Sequence, residues 1–442
     1  MFNVQITTKR QRRDKLLDLS IVVNKKYRCT LKVNSFSCFT KFISNPTLLS
    51  LDVLYFTSII YTLDKLIPRN ASADNWSREI NVSIPVSNIE LWNNGKKELE
   101  EGLAFLTSDN WNLTFVKVKR PYFQQKNNTL PLNANIDNIC LFSGGLDSLA
   151  GGINLADEKN NILFISHVDG VGASKKIQQP LLEKIKEFYP DKCIEQSPFH
   201  VYSDTNNEDT TRGRSILFLG FAIFHAINLN VNKVIAPENG VISINLPLTP
   251  SRSCSNSTKT MHPYFINKFQ NALSLIGANI EIDNPYLMKT KGEMLVESRN
   301  LDLIELLSTK TLSCSHGGGH TSTWINRNSY NCGYCIPCTI RRASINKFNI
   351  NLDKCSEYGH KLNSTEIQLY SSEKRLDILA LSYFLNKEYT KEQIIRKIKL
   401  MAIIENVDEI ADMLLRSYAE IKQYIHDKAD DNIKGLFTCQ LV

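Results

Sequence analysis

The chain has 442 residues, enough for two or three domains, and its 42% hydrophobic and 22% charged residues are typical of a soluble globular protein. Its net charge of +7 is compatible with a polyanionic ligand, and no sequence feature indicates a nucleic-acid-binding module. The sequence shows neither a secretory signal nor an uncharged apolar stretch long enough to cross a membrane, so we expect a cytoplasmic protein without a membrane partner.

Residues 1–120 combine short apolar strands with two helices, which predicts a small α+β domain without recognisable chemistry. The predicted strands lie at 16–23, 27–33, 78–86 and 111–118, and the predicted helices at 47–67 and 96–106. Pro68 would end the first helix, and Pro85 would restrict its strand to an edge of the sheet because proline has no N–H to donate. Residues 121–135 are polar and contain two prolines, which indicates a linker.

From residue 136 strands and helices alternate, which predicts an α/β domain over residues 136–350, a parallel sheet with helices on both faces. The predicted strands lie at 139–142, 161–167, 200–202, 233–236 and 279–283, and the predicted helices at 149–155, 180–188 and 215–229. Pro180 suits the first position of its helix. Residues 351–442 are predicted to be helical, with a capping box formed by Thr390 and Gln393.

One glycine-rich turn stands out, the sequence Ser-Gly-Gly-Leu-Asp-Ser at 143–148 between a buried strand and a helix. Such a turn binds anions, because backbone N–H groups point outward at a helix N-terminus and the helix dipole favours negative charge. The two glycines permit close backbone approach, and the two serines add hydroxyl donors. Asp147 does not attract phosphate itself, so we assign it to a cation carried with the ligand. The alternative is a tight turn of an ordinary α/β domain.

A group of cysteines provides the second strong signal. Cys332, Cys335 and Cys338 are each separated by two residues, and Cys314 lies upstream. Four sulfur ligands make a closed tetrahedral zinc site, and the uneven spacing of the eleven cysteines favours a reduced protein over a disulfide framework. An iron–sulfur cluster or free thiols are alternatives. His316, in a glycine-rich stretch, fits a surface loop better than a contact with metal or substrate.

The turn at 143–148 resembles the SGGxDS signature of the PP-loop ATP pyrophosphatases, which split ATP between the α and β phosphates and adenylate their substrates. Together with the cysteines, the sequence from about residue 136 to about residue 345 is similar to the QueC family, the 7-cyano-7-deazaguanine synthases. Further family-like segments are Arg-Gly-Arg-Ser at 212–215, Thr-Lys-Gly-Glu at 290–293, the pair Ser313 and Cys314, and the pair Arg341 and Arg342.

The resemblance implies an ATP-, Mg²⁺- and Zn²⁺-dependent fold and activity: adenylation of the carboxylate of 7-carboxy-7-deazaguanine, attack by ammonia, and conversion of the amide into a nitrile by a second ATP. It also implies the site residues. The nucleotide would contact Phe142, Ser143, Gly144, Gly145, Leu146, Asp147, Ser148, His167, Arg212 and Arg214. Asp147, Ser148, Arg214 and Lys291 would be catalytic, and Cys314, Cys332, Cys335 and Cys338 would hold zinc. For His167 and the arginines an ordinary structural or surface role is the alternative.

Two features depart from the nitrile-forming members of the family, which lack such an N-terminal domain and such a long helical tail. In addition, the region 238–263, where those enzymes have their substrate loop, is rich here in hydroxyls and cations. The overall layout is more similar to the QueC-like proteins of bacterial anti-phage systems, QatC of the Qat system in particular. That similarity implies a defence role, an amine acceptor that is ammonia or a partner protein, and docking through the N-terminal domain or the C-terminal helices.

Two other functions stay open at this point. A PP-loop tRNA-modifying enzyme such as a sulfurtransferase would need a catalytic cysteine pair outside the metal site, whereas Cys140, Cys193 and Cys254 are isolated in the sequence. A non-catalytic module would bind a nucleotide or scaffold a defence complex, and it would release neither AMP nor pyrophosphate.

Overall fold

A computed structural model describes residues 1–9, 16–35, 38–123, 135–168, 173–250, 252, 259–316, 324–354, 357–369 and 372–438. The strands of these residues are β1 (Phe2–Thr8), β2 (Leu19–Val23), β3 (Tyr27–Asn34), β4 (Glu79–Val86), β5 (Asn110–Lys117), β6 (Asn138–Leu141), β7 (Ile162–His167), β8 (Ile194–Ser203), β9 (Lys233–Ile235) and β10 (Glu281–Asp283). Within this described part, every helix is too short or too polar to span a membrane.

The helices of the same residues fall into two groups. Up to residue 310 they are α1 (Cys38–Lys41), α2 (Leu48–Leu66), α3 (Ile89–Thr107), α4 (Leu146–Glu158), α5 (Ala173–Phe188), α6 (Arg214–Leu229), α7 (Gly240–Ile244), α8 (Pro263–Leu275), α9 (Lys291–Val296) and α10 (Leu301–Leu307), with 3-10 turns at Arg69–Ala71 and Ser308–Lys310. After it they are α11 (Ile336–Phe348), α12 (Ser364–Ile367), α13 (Arg375–Asn386), α14 (Lys391–Met401), α15 (Val407–Lys428) and α16 (Asp431–Thr438).

The strands form one ten-stranded sheet in the order β10-β9-β6-β7-β8-β3-β2-β1-β4-β5. Neighbours from β10 to β8 are parallel, as are β1, β4 and β5. Only β8–β3, β3–β2 and β2–β1 pair antiparallel within the described chain. The predicted α/β fold with a largely parallel sheet is therefore confirmed.

Helices cover both faces of this sheet because its central strands are apolar on both sides. In β7, Leu163 and Ile165 pack into the core formed with α2, α6 and α8. Their neighbours Ile162 and Phe164 pack into the core formed with α4, α5 and α10. With both faces covered, the carboxyl edge of the parallel strands is the place where a ligand can reach the sheet.

The first 120 residues share this sheet and this core. β3 pairs with β8, with Asn34 opposite His200, and α2 packs against α6. The two helices approach closely at Gly220, where a side chain would overlap Thr57. The division of the chain into domains at residue 120 stays a prediction, and most of the predicted linker lies outside the described residues.

Two expectations about prolines were wrong. β4 lies between β1 and β5 and is not an edge strand; Pro85 is tolerated because only Phe2 to Val4 of β1 pair with β4, and these residues lie opposite Ile80 to Val82. Pro180 lies inside α5 and does not start it, since that helix begins at Ala173. The burial of Ile177 on the N-terminal side of Pro180 supports the longer helix.

Other elements agree with the sequence patterns or extend them. The helix predicted at 47–67 is α2, capped by Thr47 and followed by Ile67 as its C-cap. The Thr390–Gln393 capping box is present at the start of α14. β8 is longer than the predicted 200–202, and β1 was missed although its residues alternate between buried and exposed.

Candidate active site

The loop at 143–148 joins β6 to α4 and is held in shape by its own serines. Gly144 has φ of +81°, a left-handed conformation that glycine adopts without strain. Its N–H donates to the Ser148 hydroxyl over 3.1 Å, and the N–H of Gly145 donates to the Ser143 hydroxyl over 3.2 Å. Ser143 is exposed and Gly145 is half-buried, so the loop faces outward at the carboxyl edge of the sheet.

Asp147 lies in the first turn of α4 and connects the loop to two later segments. Its Oδ2 accepts a hydrogen bond from Asn239 Nδ2 over 2.8 Å and lies 3.2 Å from Lys291 Nζ. Its Oδ1 is buried and has no hydrogen-bond partner among the described residues. A buried carboxylate oxygen without a partner fits a divalent cation, which prefers hard oxygen ligands.

Lys291 reaches Asp147 because α9 begins at a capping box. Thr290 caps the N–H of Glu293, and the Glu293 carboxylate caps the N–H of Thr290 in return. Glu293 also pairs with Arg416 of α15, with nitrogen and oxygen 2.6 Å apart. The structure therefore brings together two of the predicted catalytic residues, Asp147 and Lys291, with support from the C-terminal helices.

Glu238 lies near Asp147 and Lys291 and was not among the predicted site residues. Burial, followed by the negative charge of Asp147, raises the pKa of Glu238 to about 7. Its Oε2 accepts a hydrogen bond from the Thr260 hydroxyl over 2.9 Å. The signal that identifies it is its position just after β9, because the carboxyl ends of parallel strands meet at one edge.

His167 and Arg214 lie on the opposite side of the loop, beyond β7. Gln178 of α5 links His167 to the loop, since its Nε2 donates to the backbone oxygens of Ser143 and His167 over 3.0 and 3.1 Å. Burial lowers the pKa of His167 well below its usual value, and the nearby charge of Arg214 acts in the same direction. Burial and the neighbouring positive charge both favour the neutral form of the His167 imidazole.

The side chains of three predicted nucleotide contacts pack against other parts of the fold. The Arg212 guanidinium donates to the backbone oxygen of Thr107 over 2.8 Å and lies 5.0 Å from the Trp76 ring, so it joins the N-terminal segment. Phe142 and Leu146 are fully buried, and Phe142 packs on Phe164. Phe142 and Leu146 contribute backbone and shape to the loop, and the structure does not bring the Arg212 guanidinium to it.

The four predicted zinc ligands, Cys314, Cys332, Cys335 and Cys338, come together, with their sulfur atoms all within 4.8 Å of one another. Cys314 and Cys335 sulfurs are 3.9 Å apart, and those of Cys332 and Cys338 are 3.8 Å apart. Zinc–sulfur bonds of about 2.3 Å in a tetrahedron place the sulfurs roughly 3.8 Å apart, so the cluster fits zinc.

The surroundings of Cys314 and Cys335 favour their thiolate forms. Cys335 caps the N-terminus of α11, where the helix dipole stabilises negative charge. The backbone N–H groups of His316 and Cys332 donate to the Cys314 sulfur over 3.3 and 3.2 Å. Hydrogen bonding to Cys332 lowers the pKa of Cys314 to about 7. The Nδ1 of His316 lies 3.9 Å from the sulfur of Cys332, so His316 contacts the cluster from outside the set of four sulfurs.

The arginines that follow the cluster are structural. Arg341 is fully buried and donates to the backbone oxygens of Ser308 and Thr309, each over 3.0 Å. Arg342 pairs with Asp353, with nitrogen and oxygen 3.0 Å apart. The bonds of Arg341 fix α11 to the 3-10 turn that precedes Cys314.

Comparison with known families finds a match to one part of the chain. Residues 191–349 match the family model described as Queuosine biosynthesis protein QueC. This segment is QueC-like. The QueC-like segment contains Arg214, Lys291 and all four cysteines, whereas the loop at 143–148 precedes it. No curated protein matches the chain.

Proposed function

We propose that the protein is an ATP-dependent enzyme that adenylates the carboxylate of a 7-deazaguanine, 7-carboxy-7-deazaguanine, and so prepares it for attack by an amine. The match to QueC supports an ATP-dependent enzyme of deazaguanine chemistry. The observation that carries the proposal is the contact between Asp147 and Lys291. This contact joins the glycine-rich loop at 143–148, which precedes the matched residues, to Lys291, which lies among them.

The chemistry requires a leaving group on an inert acid. A carboxylate oxygen attacks the α-phosphorus of ATP, the bond between the α-phosphorus and the bridging oxygen breaks, and pyrophosphate departs. The nitrogen of the amine then attacks the carbonyl carbon, and AMP leaves with the electron pair of the broken carbon–oxygen bond. Holding the acid, the nucleotide and the amine in line supplies much of the rate.

The described residues suit these steps. The N–H groups of Asp147 and Ser148 in the first turn of α4 have no intrahelical acceptor and would donate to a phosphate, and the Ser143 hydroxyl lies 3.2 Å from the Ser148 hydroxyl. Lys291 balances the negative charge that develops on the departing pyrophosphate. Asp147 would hold Mg²⁺, which neutralises phosphate charge when bound. Zinc in the four-cysteine cluster would be structural, because four protein ligands leave no open position.

The acceptor and the setting extend this proposal. The hydroxyl- and cation-rich region after β9 and the layout of the chain favour a role in a bacterial anti-phage system of the Qat type, with a partner protein's amine or ammonia as nucleophile. The N-terminal segment or the C-terminal helices would dock that partner. A reduced four-cysteine site is in keeping with action in the cytoplasm.

The test is release of pyrophosphate and AMP from ATP, measured with and without 7-carboxy-7-deazaguanine. Asp147→Asn is expected to lower turnover at least a hundredfold, because it removes the charge that holds the cation and positions Lys291. Asp157→Asn is the matched control, since Asp157 lies on the exposed side of the same helix. Mass spectrometry of the products distinguishes a free amide or nitrile from a protein adduct.

Two outcomes would overturn the proposal. Tight ATP binding without turnover, under any combination of acid and amine, would leave a nucleotide-binding scaffold. Equal turnover of wild type and Asp147→Asn would remove the loop from the chemistry. A tRNA sulfurtransferase finds no support in the described cysteines outside the cluster, because Cys29, Cys38 and Cys140 are buried and Cys193 is exposed and distant in sequence; Cys254 lies outside the described residues.

A further inference from the structure

A buried histidine without partners lies beside the loop at the carboxyl end of β7. His167 is only 4% exposed, and neither ring nitrogen has a hydrogen-bond partner among the described residues. The rings of Tyr61 and His200 lie 6.4 and 5.9 Å from its ring. Buried polar groups are normally hydrogen-bonded, so an unpartnered imidazole in this position points to a ligand.

Two positive charges without counter-ions flank this histidine. Lys65 of α2 is half-buried and Arg214 of α6 is exposed, and neither makes an ion pair or side-chain hydrogen bond within the described part of the chain; both act electrostatically on His167. The Lys65 Nζ lies 5.4 Å from the Tyr61 ring, and the Arg214 guanidinium lies 5.4 Å from Phe218. Two cations on either side of a buried, unpartnered histidine attract anions.

The nearby arginines show that this is not general for the region. Arg69 and Arg78, which belong to the same N-terminal segment, are buried against Asp64 and Asp109 with nitrogen–oxygen distances of 2.5 to 2.9 Å for the closest pairs. Both of these buried cations are paired with carboxylates. Lys65, one residue after Asp64, has none.

The residues around His167 are connected to the glycine-rich loop at 143–148. Gln178 donates to the backbone oxygens of both Ser143 and His167, and its own Oε1 is buried without a partner among the described residues. An anionic ligand that contacts His167 would therefore lie next to the loop. The positions of Tyr61 and Lys65, one helical turn apart on α2, place both side chains on the same face.

We propose that α2 of the N-terminal segment forms one wall of the ligand site, with Lys65 and Tyr61 binding an anionic group of the ligand together with His167 and Arg214. The anion is a phosphate of the nucleotide or the carboxylate of the acid. The inference rests on the proposed function for the identity of these ligands. A neutral imidazole and a phenol donate hydrogen bonds, while the two cations supply the charge.

This role gives a reason for the shared sheet. The backbone oxygen of Lys65 accepts hydrogen bonds from the N–H groups of Asn207 and Glu208 over 2.9 and 3.0 Å. These bonds hold the end of α2 against the segment between β8 and α6. They involve only the backbone, so a substitution of the Lys65 side chain leaves them in place.

Lys65→Met is the decisive variant, because methionine keeps the aliphatic stem and removes the charge. Calorimetric titration with ATP, AMP and 7-carboxy-7-deazaguanine should show that Lys65→Met binds the ligand whose anion contacts Lys65 about tenfold more weakly than wild type does. Lys65→Arg should restore most of the loss, and raising the salt concentration should weaken wild type more than Lys65→Met. Lys97→Met, a change at an exposed lysine of α3, is the matched control.

The three titrations identify the anion, and their outcomes separate this inference from the proposed function. Weaker binding of ATP and AMP by Lys65→Met would mean that Lys65 contacts a phosphate. Weaker binding of the acid alone would mean that it contacts the carboxylate. If wild type binds ATP, Asp147→Asn weakens it, and Lys65→Met matches Lys97→Met for all three ligands, the inference is overturned while the proposed function stands. If wild type binds neither ATP nor the acid, the proposed function fails and the inference fails with it.

Discussion

The backbone N–H of Leu146 donates a hydrogen bond to the Ser313 hydroxyl, with nitrogen and oxygen 3.3 Å apart. Leu146 starts α4 at the end of the glycine loop, and Ser313 directly precedes Cys314. The connection continues, because the N–H of Ser313 donates to Asn331 Oδ1 over 3.0 Å, and Asn331 precedes Cys332. Two hydrogen bonds of Ser313 thus join the four-cysteine cluster to the glycine-rich loop at 143–148.

Ser313→Ala tests this connection. The variant leaves the Leu146 N–H without its acceptor, so we expect the free energy of unfolding to fall by about 1 kcal/mol, as for loss of a helix cap. Amide exchange at Leu146 should accelerate, measured by hydrogen–deuterium exchange. Ser274→Ala removes an exposed serine and should change neither quantity; equal effects of the two changes would show that Ser313 does not order the loop.

Metal content provides the second prediction. The purified protein should contain one zinc per chain by elemental analysis, because four thiolates form one closed site. Cys338→Ser should lower the zinc content and the unfolding temperature, since metal binding contributes to folding. Cys193→Ser, at an exposed free cysteine, is the control. Iron with visible absorbance in place of zinc would contradict the assignment.

The C-terminal helices contribute to the site through Glu420 of α15. Its carboxylate accepts a hydrogen bond from the Thr290 hydroxyl and pairs with Lys347 at 2.7 Å, which braces the helix that carries Lys291. Glu420→Gln should lower kcat about tenfold with little change in ATP affinity, because misplaced reacting groups reduce rate more than binding.

The control for Glu420→Gln lies on the same helix. Lys422 pairs with Glu388 on the surface, and Lys422→Met should leave kcat within error, since exposed ion pairs contribute little. An unchanged kcat in Glu420→Gln, measured by pyrophosphate release, would mean that α15 covers the site without positioning Lys291.

A buried ion cluster holds α2 next to β4. Arg78 is fully buried and contacts Asp64 at 2.6 Å and Asp109 at 2.5 Å. Arg78→Met should lower the free energy of unfolding by roughly 3–5 kcal/mol, because it leaves buried carboxylates short of a cation. Urea denaturation measures this loss. Arg299→Met, at a half-exposed arginine, should cost less than about 1 kcal/mol, and a similar small value for Arg78→Met would contradict the cluster's role.

His225 gives stability a pH dependence. It is buried, its Nδ1 donates to the backbone oxygen of Phe221 over 2.8 Å, and burial lowers its pKa to about 4. The unfolded chain therefore binds more protons between about pH 6.5 and pH 4, and the stability that His225 contributes is complete above this window and lost as pH falls through it.

The size of this effect is about 2 kcal/mol between pH 7 and pH 5. We expect the pH 7 to pH 5 difference in unfolding free energy to shrink by that amount in His225→Gln, measured by urea denaturation at both pH values. His426→Gln, at an exposed histidine, should keep the wild-type difference. Identical pH dependence in wild type and His225→Gln would show that His225 does not titrate as the buried environment requires.

Sequence reasoning located the elements that carry local signals. Short sequence motifs of a few residues identify the loop at 143–148, the four cysteines and the helix with its Thr390 capping box. Gln178 was missed as a site residue, because nothing near it in the chain distinguishes a glutamine that contacts a loop far away in sequence. The edge assignment of Pro85 failed for the same reason, since strand neighbours are non-local.

The sequence by itself determined the chemistry on offer: a glycine turn at a helix start, a carboxylate within it, and thiols spaced for one metal ion, all properties of short segments with backbone periodicity. Only the tertiary structure decided which side chains meet. It placed Lys291 on Asp147, moved Arg212 to Trp76 and brought Lys65 of α2 beside His167. The physical reason is that a sheet orders its strands by long-range pairing and packing, which no local pattern encodes.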